Sequence, residues 1–445
     1  MPIFPPLIFL HIWHAACYGS LAYQTPTPNT KLDMKSRFKT SVLVLHASAI
    51  CLASLAQVSA DAAKDAIPAT AAAEARLKFY GWIEGGITGN TGSPHDGQNF
   101  GRLFDDRSNQ ALLNQVSVTA ERALDPKATG FDWGFKTQAM YGSDSRFTHS
   151  MGLLDQTGHE RYQPDLVEAY LNLHCPVLTE GGIDFKVGKV VTLEGAETID
   201  PRSNFFYSHS YIFNFGIPLT YTGATAAVHV TKELDLIGGV TRGVNTSTQD
   251  NNGAAGFQGG FGLNLLDGKL AILAVTNLGP ETPGNNHDYR YLNDVTAIWK
   301  ITDKLTSVTD VNYSYDKLAN AACYGAAESL TYQFNDWLGV GARAEIWADP
   351  KGFYAVQYGN NTDPMSLLRD GVVYAPRTVG GVNTTYGAFT LGVNIKAPVA
   401  GSIIQGLMIR PEVRVDTALN SGKRPFNDSK DRSMVTLGID AIMTF

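Results

Sequence analysis

The chain has 445 residues, 44% hydrophobic, 10% aromatic and 17% charged, with 44 glycines and a formal net charge of −7. Disordered chains carry fewer aromatics and more charge. Membrane proteins built of helices need apolar runs of about 18 residues or more, and beyond position 60 the longest clean run is 270–275. A duplex-binding domain is basic, so no nucleic acid is expected as a partner of this acidic chain.

The first sixty residues do not read as part of a fold. Met34 is followed by Lys35, Arg37 and Lys39, an apolar stretch at 42–56, and then Val58, Ser59 and Ala60. This is the order of a secretory signal peptide, with cleavage expected after Ala60 or, as the near alternative, Ala62. Residues 34–60 are therefore expected to be a signal peptide. Residues 1–33 carry no basic residue before Lys31 and read as a mis-assigned upstream start. A membrane anchor is the competing reading, and the apolar stretch is short for one. A lipid-anchored start at Cys51 would place Ile50 where a small residue is expected. Removing residues 1–60 takes away four basic residues and Asp33, which carries the net charge from −7 to −10. It also removes Cys17 and Cys51. Cys175 and Cys323 remain, and two cysteines do not make a disulfide framework. Residues 61–76 are Ala-rich and read as a flexible periplasmic lead-in.

From residue 77 to 445 the pattern is strand after strand with a period of two. Sixteen strands are expected, near 77–88, 112–122, 131–142, 165–175, 182–190, 218–230, 233–242, 256–265, 269–277, 291–301, 304–315, 322–334, 337–348, 386–396, 406–417 and 433–445. In the fifteenth, Leu407, Ile409, Pro411, Val413 and Val415 alternate with Met408, Arg410, Glu412, Arg414 and Asp416. The thirteenth sets Leu338, Val340, Ala342, Ala344, Ile346 and Ala348 against Arg343 and Glu345. Two strands are less regular. Residues 270–276 are apolar on both faces, and Glu328 falls among the apolar set of its strand.

The connections alternate in length. Long ones fall near 89–111, 143–164, 191–217, 243–255, 278–290, 349–385 and 418–432, and short ones, such as Thr302-Asp303 and Asn335-Asp336, lie between. The link near 316–321 is short where a long one is due. This alternation implies an all-β, transmembrane, antiparallel up-and-down β-barrel of about sixteen strands, with short periplasmic turns and long outer loops. A Greek-key sandwich has no reason to obey it. Aromatic residues at the expected strand ends (Trp82, Tyr141, Tyr170, Tyr221, Trp299, Tyr313, Tyr315, Trp337, Trp347 and Tyr386) suit the two bilayer interfaces. Phe445 ends the last amphipathic strand, as the signal read by outer-membrane assembly machinery does.

In such a barrel the polar parity faces the lumen, because Arg or Lys on the lipid face costs about 2–4 kcal/mol at the midplane. The expected lumen-lining residues are Glu84, Lys136, Glu168, Asp184, Lys186, Asp310, Arg343, Glu345, Arg410, Glu412, Arg414 and Asp416. The long connection at 191–217 carries Glu194, Glu197, Asp200, Arg202 and Asn204 and is the candidate constriction. Carboxylates there would favour cations and arginine anions; the overall charge leans to cations. No H-E-x-x-H, G-x-S-x-G or C-x-x-C occurs, and Ser208-His209-Ser210 alternates faces on a strand, so neither a hydrolase site, a cofactor nor a metal centre is expected.

One stretch resembles a known family. Gly188-Lys189-Val190-Val191-Thr192-Leu193-Glu194-Gly195-Ala196-Glu197, then Asn204-Phe205-Phe206-Tyr207-Ser208-His209-Ser210, then Ile217-Pro218-Leu219-Thr220-Tyr221-Thr222-Gly223, is similar to the OmpL-like β-barrel porins. The likeness extends in architecture over 77–445 and at motif level over 182–230. It implies an outer-membrane pore without a defined substrate. The expected function is thus passive diffusion of small hydrophilic solutes or ions. A structural or adhesive barrel with a plugged lumen is the alternative, and an outer-membrane hydrolase the weakest one. Expected partners are outer-membrane lipids, the barrel assembly machinery and solutes, with a homotrimer suggested by fold analogy alone.

Overall fold

The computed structural model describes residues 76–445 except 126–127, 158–159, 360, 362, 371–377, 380 and 400–402. The expected signal peptide, the upstream start and all of the lead-in but Arg76 lie outside the described residues.

The strands in chain order are β1 (Leu77–Asn90), β2 (Ala111–Arg122), β3 (Asp132–Gly142), β4 (Gln163–Cys175), β5 (Ile183–Val191), β6 (Thr220–His229), β7 (Leu234–Val244), β8 (Gly256–Leu265), β9 (Leu270–Pro280), β10 (Tyr289–Lys300), β11 (Leu305–Asp316), β12 (Ala321–Asn335), β13 (Leu338–Asp349), β14 (Gln357–Tyr358), β15 (Thr378–Val379), β16 (Thr384–Ala397), β17 (Gly406–Ala418) and β18 (Ser433–Thr444). Within the described residues, β14 and β15 pair only with each other, and the other sixteen close into one barrel in which sequence neighbours are spatial neighbours. All of its pairings are antiparallel, and β1 pairs with β18 to complete the circle. Closure removes the exposed strand edges that an open sheet leaves unpaired. The sixteen expected strands are those of the barrel. The unexpected elements sit in the long connections: β14, β15, a short helix α1 (Ser145–Thr148) and a helix α2 (Pro364–Asp370). The described residues contain no helix long and apolar enough to cross a membrane.

Period-two alternation decides which side chains meet lipid and which meet the lumen. On β16, Phe389 and Leu391 are exposed on the outer surface while Thr390 is fully buried inside. On β17, Arg410, Arg414 and Asp416 are at most 2% exposed, and Val415 lies outside. The expected aromatic girdle is only half right. Tyr141, Trp299, Tyr313 and Trp337 are exposed on the outside, but Trp82, Tyr221, Trp347 and Tyr386 are buried. These four share the parity of the inward residues of their strands, and they pack against chain that fills the barrel. Trp82 Nε1 donates to Gln115 Oε1 at 3.0 Å, and Tyr211 stacks on Trp347 and Tyr386 with ring centroids 5.9 and 5.0 Å away.

Where the strands depart from regular pairing, the cause is local. Gly188 adopts φ 138°, and a Cβ there would stand 2.2 Å from the carbonyl oxygen of Ala169, so only glycine lets β5 approach β4. The next side chain, Lys189, is buried and donates to the Leu166 carbonyl at 2.6 Å. This accounts physically for the Gly-Lys pair in the family-like stretch. The barrel closes at its C-terminus: Gly81 and Phe445 exchange backbone hydrogen bonds of 2.9 and 3.0 Å.

Candidate functional site

Of the long connections that pack inside, two reach the charges of β17. The first spans 98–109. Phe100, Leu103 and Phe104 are buried, and Arg102 donates to Asp105 and to Asp416 of β17 at 2.7 and 2.5 Å. The second spans 192–219 and contains the family-like motif. It includes a 3-10 turn, Pro201–Ser203, and a π-helical turn, Ile212–Gly216.

A loop inside a lumen exposes backbone groups that must find partners, and the barrel wall supplies them as carboxylates. Gly195 N donates to Asp294 of β10 at 2.8 Å and Ala196 N to Asp310 of β11 at 2.9 Å. Tyr207 N donates to Glu412 of β17 and Tyr211 N to Glu345 of β13, both at 2.9 Å. The loop's carbonyls are taken by arginines. Arg410 Nη1 donates to the carbonyls of Pro201, Asn204 and Phe206 at 2.9, 2.8 and 3.1 Å. Arg414 Nη1 donates to that of His209 at 2.7 Å. Opposite, Ser314 Oγ donates to the Gly216 carbonyl at 2.8 Å. A Cβ on Gly216 would stand 2.3 Å from Asn312 Nδ2, so a larger residue there would push that amide aside.

The expected lumen-lining residues all face inward, in two settings. Arg410, Arg414 and Asp416 are covered by the loops rather than bathed by water. They belong to an ion network in which Arg410 meets Glu84 and Asp440 at 3.0 and 2.6 Å, and Arg414 meets Glu345 and Asp416 at 3.1 and 2.9 Å. Near the short turns, Lys136 pairs with Glu168 at 2.5 Å and His174 with Asp184 at 2.6 Å. Lys186 there lies over the Tyr170 ring, 5.1 Å from its centroid. The network also includes Asp440 and Arg102, and Asp294 accepts from the inward segment outside it; sequence reasoning left out all three. For Asp440 and Asp294 the signal was their inward parity. For Arg102 it was the pattern Phe100-Gly101-Arg102-Leu103-Phe104, too apolar for a solvated outer loop.

The five constriction candidates separate. Glu197, Arg202 and Asn204 border a cavity of about 300 Å³, with Asp310, Arg343 and Lys396 on the facing strands. Arg343 Nη1 meets Glu197 at 2.5 Å. Asp200 holds Arg202 at 2.6 Å, and that guanidinium lies over Trp82, 4.2 Å from the ring centroid. Glu194 does not border that cavity. It is 1% exposed, accepts from Asn277 Nδ2 at 2.7 Å, and its carboxyl is pushed up to about 8, chiefly by burial. A second cavity, about 210 Å³, lies toward the long loops and is lined by Phe147, Phe215, Tyr354 and Tyr358 with Glu281 and Arg290. Burial pushes the Glu281 carboxyl up to about 7.

The serines beside His209 are engaged elsewhere. Ser208 Oγ accepts from Arg343 at 3.2 Å, and Ser210 Oγ accepts from Phe213 N at 3.1 Å. His209 packs on Phe213 with ring centroids 4.1 Å apart, and its pKa falls to about 3, mainly through burial. Among the described residues no three His, Cys, Asp or Glu are grouped to hold a metal ion. Cys175 and Cys323 are free thiols.

Solved structures with this barrel include OprB of Pseudomonas putida (12% identity, 84% of this chain and 95% of that one, TM-score 0.51). OmpF of Salmonella typhi, in a complex with daunomycin, matches at 10% identity over 83% and 97% (TM-score 0.51). An anion-selective porin from Comamonas acidovorans matches at 8% identity over 83% and 99% (TM-score 0.50). At these identities the likeness is one of fold. No curated protein sequence matches the chain. The profile of the family described as "Putative beta-barrel porin-2, OmpL-like" matches residues 76–445. The closed sixteen-strand barrel and that match together place the chain in this family of outer-membrane β-barrel porins, to which it belongs.

Proposed function

We propose that the protein is a non-enzymatic channel for passive diffusion of small hydrophilic solutes or ions, and that residues 192–219 form its constriction. The observation that carries this reading is the placement of two cavities. One is on the short-turn side of the segment and bordered by Glu197, Arg202 and Asn204; the other is on its long-loop side. Solutes would pass the segment between them. At the polar cavity, Glu197 and Asp310 stand with Arg202, Arg343 and Lys396, so charges of both signs border one narrow space and set a field across it. Glu194 and Asp200 act from behind, the first against the wall and the second on Arg202. The three cations counter the cation preference suggested by the overall charge. The exported chain would reach the outer membrane through its signal peptide and the assembly machinery that reads Phe445, and three barrels would pack together as in fold analogues.

A specific observation favours the plugged alternative. An apolar cluster that includes Phe100, Tyr211, Trp347 and Tyr386 fills part of the interior. Single-channel recording in a planar bilayer decides. Defined open steps, with a reversal potential in a KCl gradient, support the channel and give its charge preference. A folded, heat-modifiable barrel without steps turns the assignment to a plugged one.

A further inference from the structure

The cavity on the long-loop side of the inward segment is walled by rings from separate stretches of chain: Phe147 of α1, Phe215 of the π-helical turn, Tyr354 after β13 and Tyr358 of β14. These walls are fixed before anything binds. Asp349, 0% exposed, accepts from the backbone amides of Phe353, Tyr354 and Ala355 at 2.9, 2.8 and 3.0 Å. The Tyr354 hydroxyl donates to the Ala321 carbonyl at 3.2 Å, and Phe147 and Tyr358 pack with ring centroids 6.0 Å apart. The space of about 210 Å³ exceeds the roughly 150 Å³ of a dry apolar cavity that admits benzene. A hydrophilic solute without a ring would leave the aromatic faces wet.

Three polar groups on the cavity wall keep a capacity that the chain does not use. Asn214 is 7% exposed, its Nδ2 donates to the carbonyls of Gly101 and His209 at 3.3 and 3.4 Å, and its Oδ1 is buried with no hydrogen-bond partner. Two carbonyls on the nitrogen fix which end of the amide is which. Arg290, at the loop end of β10, lies opposite Asp316 of β11 and donates to it through Nε and Nη2 at 3.0 and 2.8 Å. Its Nη1 has no acceptor among the described residues. Asp316 also takes Ala319 N at 2.8 Å, so its charge is already matched. Glu281 accepts from Val244 N through Oε2 at 3.0 Å, and its Oε1 has no donor among the described residues. Burial keeps a proton on Glu281 to about pH 7, so below that pH it offers a hydroxyl rather than a charge. The open functions are thus two donors from the barrel wall and one acceptor from the inward segment. A guanidinium N–H selects a carboxylate, an amide oxygen selects a hydroxyl, and ring walls select a ring.

We propose that this cavity binds a small aromatic carboxylate that bears a ring hydroxyl, with the carboxylate on Arg290 Nη1, the ring among Phe147, Phe215, Tyr354 and Tyr358, and the hydroxyl donating to Asn214 Oδ1. The inference rests on the channel reading for its role, a halting point before the constriction, but the binding itself needs no open pore. Passage requires release, so the site should hold its solute weakly.

The test is a set of saturation-transfer NMR titrations at pH 6 on the folded protein in detergent. The probes are 4-hydroxybenzoate, benzoate, 4-hydroxybenzyl alcohol and 4-hydroxybenzylamine, and heat-denatured protein in the same detergent is the blank. The expected result is saturable binding of 4-hydroxybenzoate, about tenfold tighter than the alcohol, which lacks the charge, and about fivefold tighter than benzoate, which lacks the hydroxyl. The amine should bind no better than the alcohol. Arg290→Gln should erase only the first preference and Asn214→Leu only the second, whereas a mere loss of packing weakens every probe alike. Heat-modifiability reports whether each variant is folded, and the wild-type preferences decide where a variant is not. A signal that does not saturate, another probe binding as tightly as 4-hydroxybenzoate, or folded variants that weaken all probes alike overturns the proposal. Conductance of the same protein in a planar bilayer separates the two readings. Saturable binding without open steps removes the channel and keeps the site; open steps without saturable binding do the reverse.

Discussion

Arg343 Nη1 meets Glu197 at 2.5 Å while its Nε meets Glu345 at 2.9 Å, so one wall guanidinium joins the inward loop to a carboxylate of its own strand. Its side chain is 2% exposed. Removing one partner of such a buried pair costs about 3–5 kcal/mol. Arg343→Ala should lower barrel stability by that order, read as a shift of the urea midpoint in detergent. Glu197→Gln keeps the cation and loses the anion at the polar cavity. It should move the reversal potential toward anion preference, and an unchanged potential would remove Glu197 from the pathway.

Arg410 gathers three loop carbonyls with one nitrogen. Lysine keeps the charge but not the planar fork. Arg410→Lys should therefore leave a folded, heat-modifiable barrel whose inward segment is looser, seen as greater open-channel noise and faster tryptic cleavage at Arg202. Wild-type noise and cleavage in this variant would show that the segment is held by its other contacts alone.

The buried carboxyls of the loops give a pH dependence with a definite sign. Glu194 has a folded pKa of about 8 against an ordinary value of 4.5. The folded state thus keeps a proton that the unfolded state releases. Its contribution to stability is full below about pH 4.5 and is lost as the pH rises through about 8. Glu281, at about 7, acts in the same direction. After correction for intrinsic exchange rates, the amides of Gly195 and Ala196 should be better protected at pH 5.5 than at pH 9, and Glu194→Gln should reduce the difference. Equal protection in the wild type at both values would contradict the assignment.

The two thiols differ in access. Cys323 is 0% exposed inside the barrel, and Cys175 is part-exposed at the short-turn end of β4. Protein carrying residues 61–445 should take up one maleimide when folded and two after denaturation. Uptake of two by the folded barrel would mean that the interior around Cys323 opens.

The barrel was legible in the sequence because a two-residue period and loop lengths are local signals. All sixteen barrel strands lie where alternation placed them, and the inward parity of Arg343, Glu345 and Arg410 followed from it. The interior was harder to read. Trp347 and Tyr386 look like interface aromatics by position at a strand end, but their parity matches that of Glu345 and Ala388, which puts them inside. The constriction candidates were grouped by sequence proximity, whereas the wall sorts them: Asn277 draws Glu194 away, and Arg343 draws Glu197 toward the cavity. Contacts across 83 and 146 residues leave no local periodicity to find. The entry of 98–109 went unread for that reason, since its anchor, Asp416, is 314 positions from Arg102.

Arg410 also touches both ends of the chain's circle, for Glu84 belongs to the first strand and Asp440 to the last. The site that holds the inward segment is therefore incomplete until the final strand has met the first. Sealing the wall and seating the loop become one kinetic event, late and of high contact order. A barrel stalled before its last strand docks would leave residues 201–206 without the clamp that Arg410 provides.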